Sequence, residues 1–300
     1  MIMTPLIIHH NDLDGLAAAW VVKQRYPDAE LMAAQYGDEP PIANVVRDRH
    51  VWIVDFSYDA ETLRRVAREA ASVIVIDHHK SVEKELRAFR VVDRTHILSS
   101  DSLSFFRLLA YFDSTRSGCG LAWDLFNPDQ PRPELLDYIE DRDIWKWSLP
   151  DSHEISAALM SYPLDYAWLD GAIRDKGAVC ALLAEGRAIL RYQRQLVADH
   201  VALAFRTDQW MLDDLGSLKD TCGEIPIALC QLKRLTSDVG HALLTAYPDA
   251  PYVAIVLRDY ERGVWRVSLR SDNDRADVSE IARARGGGGH RNAAGYEVKL

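Results

Sequence analysis

The stretch VWIVDFSYDAETLRRVAREAASVIVIDHH (residues 51–79) decides the fold. Two continuous apolar runs rich in β-branched residues, VWIVD (51–55) and VIVID (73–77), flank a segment in which Leu63, Val66, Ala67 and Ala70 recur at helical spacing. Runs without polar alternation suit strands buried on both faces, and a helix between two of them is the crossover of a parallel sheet. Working outward, residues 6–10 (LIIHH) form a third short apolar run. Leu16, Ala17, Trp20 and Val21 follow it on one helical face. This β-α-β-α-β rhythm predicts an α/β domain, a parallel sheet with helices on both faces.

All three runs end in polar residues: His9, His10, Asp12 and Asp14 after the first, Asp55 after the second, and Asp77, His78 and His79 after the third. Ligands of open parallel sheets bind at the carboxyl ends of the strands. Segments far apart in sequence therefore deliver carboxylates and imidazoles to one rim. Singly, these residues have plainer uses: Asp12, Asp14 or Asp55 can cap a helix. A pair of histidines directly after a buried strand is harder to assign to packing. Taken together the set has metal chemistry, because carboxylate and imidazole without thiolate suit divalent cations such as Mn²⁺. Two ions about 3.5–4 Å apart need a carboxylate that both can share. A further carboxylate can come from the helical stretch 139–143 (IEDRD), where Asp141 and Asp143 compete for the role.

Beyond this domain, residues 102–205 read as mainly helical, with helices over 117–126 and 177–205 and an acidic cluster within 133–147. Strand patterns return at 225–230, 252–257 and 264–270, with a helix over 237–246 among them. This predicts a smaller C-terminal α/β domain with a mixed sheet: residues 1–180 as the catalytic domain, 181–205 as a helical linker and 206–300 as the second domain. The chain closes on Gly286–Gly289, His290, Arg291 and small residues at 292–295. Glycines there allow backbone N–H groups close to an anion, with a helix N-terminus behind them, and Arg291 adds a fork suited to phosphate. Trp145 and Trp147 are assigned no site role.

Composition narrows the function classes. The 300 residues are 48% hydrophobic and 27% charged, which is globular, and twice the length of a typical domain. With 45 acidic against 35 basic residues the net charge is −10. An acidic chain lacks the broad basic surface that coats long duplex nucleic acid, but bound cations can still bring a short anion to it. Four dispersed cysteines (Cys119, Cys180, Cys222, Cys230) exclude a Cys-rich zinc knuckle and point to reduced thiols. No segment has the ~20 consecutive apolar residues of a membrane span, and the amino terminus lacks a basic n-region. A cytoplasmic protein without membrane contact is expected.

The combination of NDLDG (11–15), VDFS (54–57), DHH (77–79) and GGGGHRNAAG (286–295) resembles the DHH phosphoesterases that carry a DHH-associated C-terminal domain, the branch of RecJ-like exonucleases and nanoRNases. The resemblance spans nearly the whole chain. It implies two Mn²⁺ ions, with Mg²⁺ as the other oxygen-accepting choice. Asp12 and Asp14 then match the first-motif ligands, Asp55 the bridging aspartate, His78 a further ligand and Asp141 the fourth-motif aspartate. Asp77 matches a residue that orients histidine, and His79 the histidine facing the scissile phosphate. Several family members place a ligand histidine four residues before the first motif aspartate, where this chain has Ile8. His10 is therefore taken as the ligand, and His9 as a packed or solvent-facing residue. Gly288, Gly289, His290, Arg291 and Arg270 match the substrate-binding side. The implied activity is hydrolysis of short oligonucleotides, dinucleotides included, to mononucleotides. The alternatives are a phosphatase acting on a nucleotide such as 3′-phosphoadenosine 5′-phosphate, a cyclic-dinucleotide phosphodiesterase, and a nucleotide-binding module without catalysis. Homodimerisation is left open.

Overall fold

The apolar runs pair side by side as parallel neighbours. The computed structural model describes residues 3–91, 97, 107–206 and 225–299. The chain divides into two compact units, Met1–Arg187 and Ala188–Leu300. In chain order the first unit contains β1 (Leu6–His10), α1 (Leu13–Arg25), β2 (Glu30–Ala34), β3 (His50–Val54), α2 (Ala60–Glu69), β4 (Ser72–Asp77) and β5 (Leu108–Phe112). There follow α3 (Gly118–Phe126), α4 (Glu134–Asp143), α5 (Ser152–Ser161), α6 (Tyr166–Arg174) and the start of α7 (Ala178–Ala202). The five strands form one sheet in the order β2-β1-β3-β4-β5, with every pairing parallel.

Alternate residues of the central strands face opposite sides. Leu6, Ile8, Val51, Ile53, Val73 and Val75 form a buried cluster with Leu63, Val66 and Ala67 of α2. Trp52 faces the other side, fully buried, its ring 5.5 Å from that of Tyr26 and 5.2 Å from that of Phe126. Helices thus cover both faces, which is why these strands carry no polar alternation. The register sets His9 beside Val54, and Val54 beside Ile76. The carboxyl ends of β1, β3 and β4 are therefore level with one another.

Two strands depart from the expected pattern. β5 lies in the region expected to be mainly helical; Leu108–Phe112 instead extends the sheet beside β4. β2 is Glu-Leu-Met-Ala-Ala, good helix formers that become a strand because β1 offers them a free edge.

The second unit is an α/β arrangement around a six-stranded mixed sheet. Its elements are β6 (Phe205–Arg206), β7 (Pro226–Leu229), α8 (Thr236–Ala246), β8 (Val253–Asp259), β9 (Val264–Arg270), α9 (Val278–Arg283), β10 (Gly288–His290) and β11 (Ala293–Lys299). In the order β10-β11-β9-β8-β7-β6, β7 and β8 pair in parallel and the other described neighbours antiparallel. The division between units falls inside α7, ahead of residue 206. The second half of that helix brings Leu196, Val197 and Val201 against the second unit's core, together with Ala204. The small residues after His290 open a strand, not a helix. The glycine run forms a hairpin in which Gly289 has φ 135°, and a Cβ there would lie 2.5 Å from the Ala293 carbonyl oxygen. That corrects the expected helix N-terminus at this loop.

Cys119, Cys180 and Cys230 are free thiols; Cys222 lies outside the described residues. Among the described residues no helix is long and apolar enough to cross a membrane.

Trp52 fills the space between sheet, α1 and α3, so truncating it leaves a cavity that helices cannot close. Trp52→Ala is expected to lower the unfolding free energy by about 3–5 kcal/mol. Urea denaturation checks this; a loss below about 1 kcal/mol would contradict the packing described.

Candidate metal centre

Where β3 ends, Asp55 adopts a left-handed backbone, φ 56°. For a residue with a side chain this conformation costs about 1–3 kcal/mol and persists only when its surroundings hold it. Here the Asp55 amide donates to the Ile76 carbonyl oxygen at 2.8 Å, and the carboxylate is buried, 1% exposed. Gly118 stands against it; a Cβ at that position would lie 2.5 Å from the Asp55 Cβ.

Between β1 and α1, Asp12 serves two purposes with its two oxygens. Oδ1 accepts from the Gly15 amide at 2.9 Å and caps α1, while Oδ2 lies 2.6 Å from His10 Nδ1. The capping and ligand readings of this aspartate therefore coexist. Asp14, in the first turn of α1 and buried, accepts from the Gly118 and Cys119 amides at 2.6 and 3.1 Å. From β4, His78 Nε2 approaches Asp55 Oδ1 at 2.9 Å and Asp143 Oδ2 at 3.5 Å. Asp77 uses one oxygen, Oδ1, to accept from the His78 amide, the His79 amide and His79 Nδ1 at 2.7, 3.1 and 2.8 Å. It orients the tandem histidines.

Of the candidate ligand groups among the described residues, two overlap at Asp55 while drawing their other members from different residues. Ligand atoms of His10, Asp12 and Asp55 lie within 4.8 Å of one another, and so do those of Asp14, Asp55 and His78. Asp55 belongs to both. Its Oδ2 is buried without a hydrogen-bond partner, 3.7 Å from His10 Nδ1. A buried carboxylate oxygen in that condition fits a divalent cation, and the donors around it are oxygen and imidazole nitrogen.

The electrostatics describe the same excess of negative charge. Burial, then the charges of Asp14 and Asp12, push the Asp55 carboxyl well above the usual carboxylate range. Enclosure by its neighbours, then the charge of Asp14, does the same to Asp143. Burial works to lower His10, but the Asp12 and Asp55 carboxylates outweigh it and raise the imidazole to about 11. His78 is raised in the same way, against burial, by Asp143 and Asp14. Asp12 is held below the usual range: burial opposes this, and the charge of His10 prevails.

Asp141, taken from the sequence as a ligand, is not in this group. Its Oδ1 accepts from the amide and hydroxyl of Ser148, both at 2.8 Å, and its Oδ2 accepts from Ser152 Oγ at 2.6 Å and the Leu149 amide at 3.4 Å. It ties down the turn after α4. Asp143, the competing choice, is the aspartate beside His78. His9 is buried and turns its Nδ1 to the His10 carbonyl oxygen, consistent with packing.

Two residues of the site had no assigned role. Tyr36 follows β2; its ring lies 5.7 Å from His79 and 5.0 Å from Phe56. Nothing marks it in sequence without the edge strand that carries it. Glu140, on α4, turns its carboxylate to the start of α3.

In the second unit, Gly288, Gly289 and His290 form β10. Arg270 donates to Ser237 Oγ at 2.9 Å and to the Leu269 carbonyl at 2.8 Å. Arg291 braces a loop, donating to Asp277 Oδ2 at 3.3 Å and to the Arg275 carbonyl at 2.9 Å.

Residues 5–142 match the DHH family, N-terminal domain. The amino-terminal part of the chain is thus similar to the N-terminal domain of the DHH family. Among curated relatives, the uncharacterized protein R106 of Acanthamoeba polyphaga mimivirus is 30% identical over 255 residues, 83% of this chain and 53% of that protein. Oligoribonuclease NrnB of Bacillus subtilis (strain 168) is 24% identical over 96% of this chain and 71% of its own length. Among solved structures, RecJ from Thermus thermophilus in complex with Mn²⁺ has a TM-score of 0.52 at 15% identity, covering 98% of this chain and 49% of that one. This likeness shows a shared fold. The chain spans about half the length of R106 and of that RecJ.

Neighbouring aspartates are expected to separate cleanly by mutation. Asp141→Asn should lower the melting temperature of the metal-free protein but keep a Mn²⁺-dependent rise; Asp143→Asn should keep the metal-free stability and lose most of that rise. Thermal melts with and without Mn²⁺ check this, and the reverse pattern would restore Asp141 as the ligand.

A second expectation concerns pH. Asp55 and Asp143 are raised on folding, so their protonated forms stabilise the metal-free fold at low pH, and that stability is lost as pH rises through their folded values. His10, raised from 6.5 to about 11, gives up its contribution progressively across that interval. Metal needs deprotonated carboxylates, so the Mn²⁺-induced rise in melting temperature should grow between about pH 5.5 and about pH 8. A rise that shrinks over that range would count against a carboxylate site.

Proposed function

We propose that this chain is a divalent-metal-dependent phosphodiesterase that hydrolyses short oligonucleotides, dinucleotides included, to mononucleotides. The observation that carries the reading is the sharing of one buried carboxylate, Asp55, by two groups of potential ligands at the carboxyl ends of three parallel strands. His10, Asp12 and Asp55 would hold one ion, and Asp14, Asp55 and His78, with Asp143 beside them, the other. Bound there, divalent ions supply an activated water and neutralise charge on a phosphoryl oxygen.

The chain's own residues do the rest. Asp55 presents one oxygen to each group, so it sets their separation. Asp77 Oδ1 accepts a hydrogen bond from His79 Nδ1–H at 2.8 Å, which keeps the proton on Nδ1 and fixes the ring plane. With Nδ1 so engaged, Nε2 is the nitrogen left for a phosphoryl oxygen, to which it donates when the ring carries a second proton. Gly288, Gly289 and His290 are our choices for the adjacent nucleotide. Arg270 and Arg291 are our further choices on that side, each placed by its bonds within the second unit.

The substrate class is supported by the similarity to NrnB across almost the whole chain. A net charge of −10 is unsuited to long duplexes, whose binding is driven by phosphate neutralisation. Manganese is favoured over magnesium because imidazoles belong to both ligand groups, and imidazole suits the transition metal better.

The test is product analysis with Mn²⁺ on a dinucleotide, a short RNA ladder, a long duplex and 3′-phosphoadenosine 5′-phosphate. Mononucleotides should form from the dinucleotide and short RNA, and the duplex should survive. Asp55→Asn should remain folded by circular dichroism and lose turnover to background. Failure to cleave any dinucleotide, or wild-type turnover in Asp55→Asn, refutes the reading.

A further inference from the structure

Glu140 sits on α4 and is buried, 6% exposed, yet it lies outside both ligand groups. Two cations neutralise it: Arg116 donates from Nε to Oε1 at 2.7 Å, and Arg132 Nη2 lies 2.5 Å from Oε2. Arg116 is also paired with Asp124, and Arg132 with Asp137 at 2.5 Å. Burial raises a carboxyl; here the Arg116 hydrogen bond and the Arg132 charge outweigh it and hold Glu140 below its ordinary value. This assembly is costly to build, since each buried charge forfeits its hydration. What it delivers is one further contact: Glu140 Oε1 accepts the Ser117 amide at 3.2 Å.

Ser117 is the N-cap of α3, and the next amides complete a sequence. Those of Ser117, Gly118, Cys119 and Gly120 donate in turn to Glu140 Oε1, Asp14 Oδ2, Asp14 Oδ1 and Ser117 Oγ. The orphan donors at this helix start are thus divided among a carboxylate neutralised by arginine, one belonging to a ligand group and the capping hydroxyl of Ser117. A carboxylate has about four lone-pair positions, so these two amides leave one on each Asp14 oxygen for other partners. They also fix the plane and rotamer of that carboxylate. The rail that does so is anchored at its other end by Glu140. Gly120 leaves room for the anchor: a Cβ there would lie 2.4 Å from Glu140 Oε1.

We propose that Glu140 is a positioning residue for the metal centre: by holding the first amide of α3 it aims the next two at Asp14, and so sets how Asp14 presents itself to a cation. The inference rests on the metal-centre reading above and deepens it. Arg116 and Arg132 keep the anchor charged without letting it compete for the ion.

The experiment is calorimetric titration of the full-length, metal-stripped protein with MnCl₂, alongside dinucleotide turnover. Glu140→Ala should weaken Mn²⁺ binding by about tenfold or more, the scale of losing a partner that orients a ligand. At saturating Mn²⁺ its kcat should fall, while KM for the dinucleotide stays within about twofold, as an effect on the reacting centre and not on substrate binding requires. Glu140→Gln keeps an oxygen for the Ser117 amide and should recover most of the affinity; a purely structural salt bridge would not be rescued so. Gly120→Ala is the second route. It favours the helix, yet its methyl must displace Oε1, so it should weaken Mn²⁺ binding in the same direction even where Glu140→Ala does not fold. Wild-type Mn²⁺ affinity in a folded Glu140→Ala or Gly120→Ala protein overturns the proposal. Absence of Mn²⁺ binding in the wild type overturns the metal centre itself, which distinguishes the two failures.

Discussion

A carboxylate with no water and too little positive charge around it is an unstable arrangement, and the first unit is built to enforce one. Asp55 is held in a left-handed turn at the end of a central strand, buried, with one oxygen on His78 and the other left without a hydrogen bond. Asp14, Asp12 and Asp143 crowd the same space. Two imidazoles lean toward the cluster and carry more proton than they would in water. Repulsion of this kind persists because the sheet beneath it is dry, dense and covered on both faces. A divalent cation removes the conflict, which is why stability, protonation and metal affinity are coupled at this rim.

Geometry reaches the rim by two routes. One is the level register of β1, β3 and β4, which places His10, Asp55 and the histidine pair at a common height. The other is α3, whose first amides grip Asp14 and whose Gly118 lets Asp55 pass at van der Waals range. The α4 helix serves both, supplying Asp143 to the cluster and Glu140 to the start of α3.

What could be read in the sequence follows from what each element depends on. β1, β3 and β4 are legible because burial on both faces leaves an uninterrupted apolar run, and their polar ends announce the site. β2 is not, because Glu-Leu-Met-Ala-Ala prefers helix and becomes a strand only through pairing with β1. The small residues after His290 read as a helix start, whereas β9 offers an edge that draws them into the sheet. Asp141 and Asp143 carry the same chemistry two positions apart. Ser148 and Ser152, beyond the helix, decide between them by taking up both oxygens of Asp141. Glu140 is equally silent alone, since its role exists only once Arg116, Arg132 and Ser117 surround it.

The central claim is that Asp55 is shared between two cations. Anomalous diffraction from Mn²⁺-soaked crystals, collected at the manganese edge, addresses it directly. Two peaks about 3.5–4 Å apart are predicted, one against His10 and Asp12, the other against Asp14 and His78, each within coordination distance of an Asp55 oxygen. Peaks elsewhere on the molecule, or peaks at this rim that leave Asp55 untouched, would contradict the account.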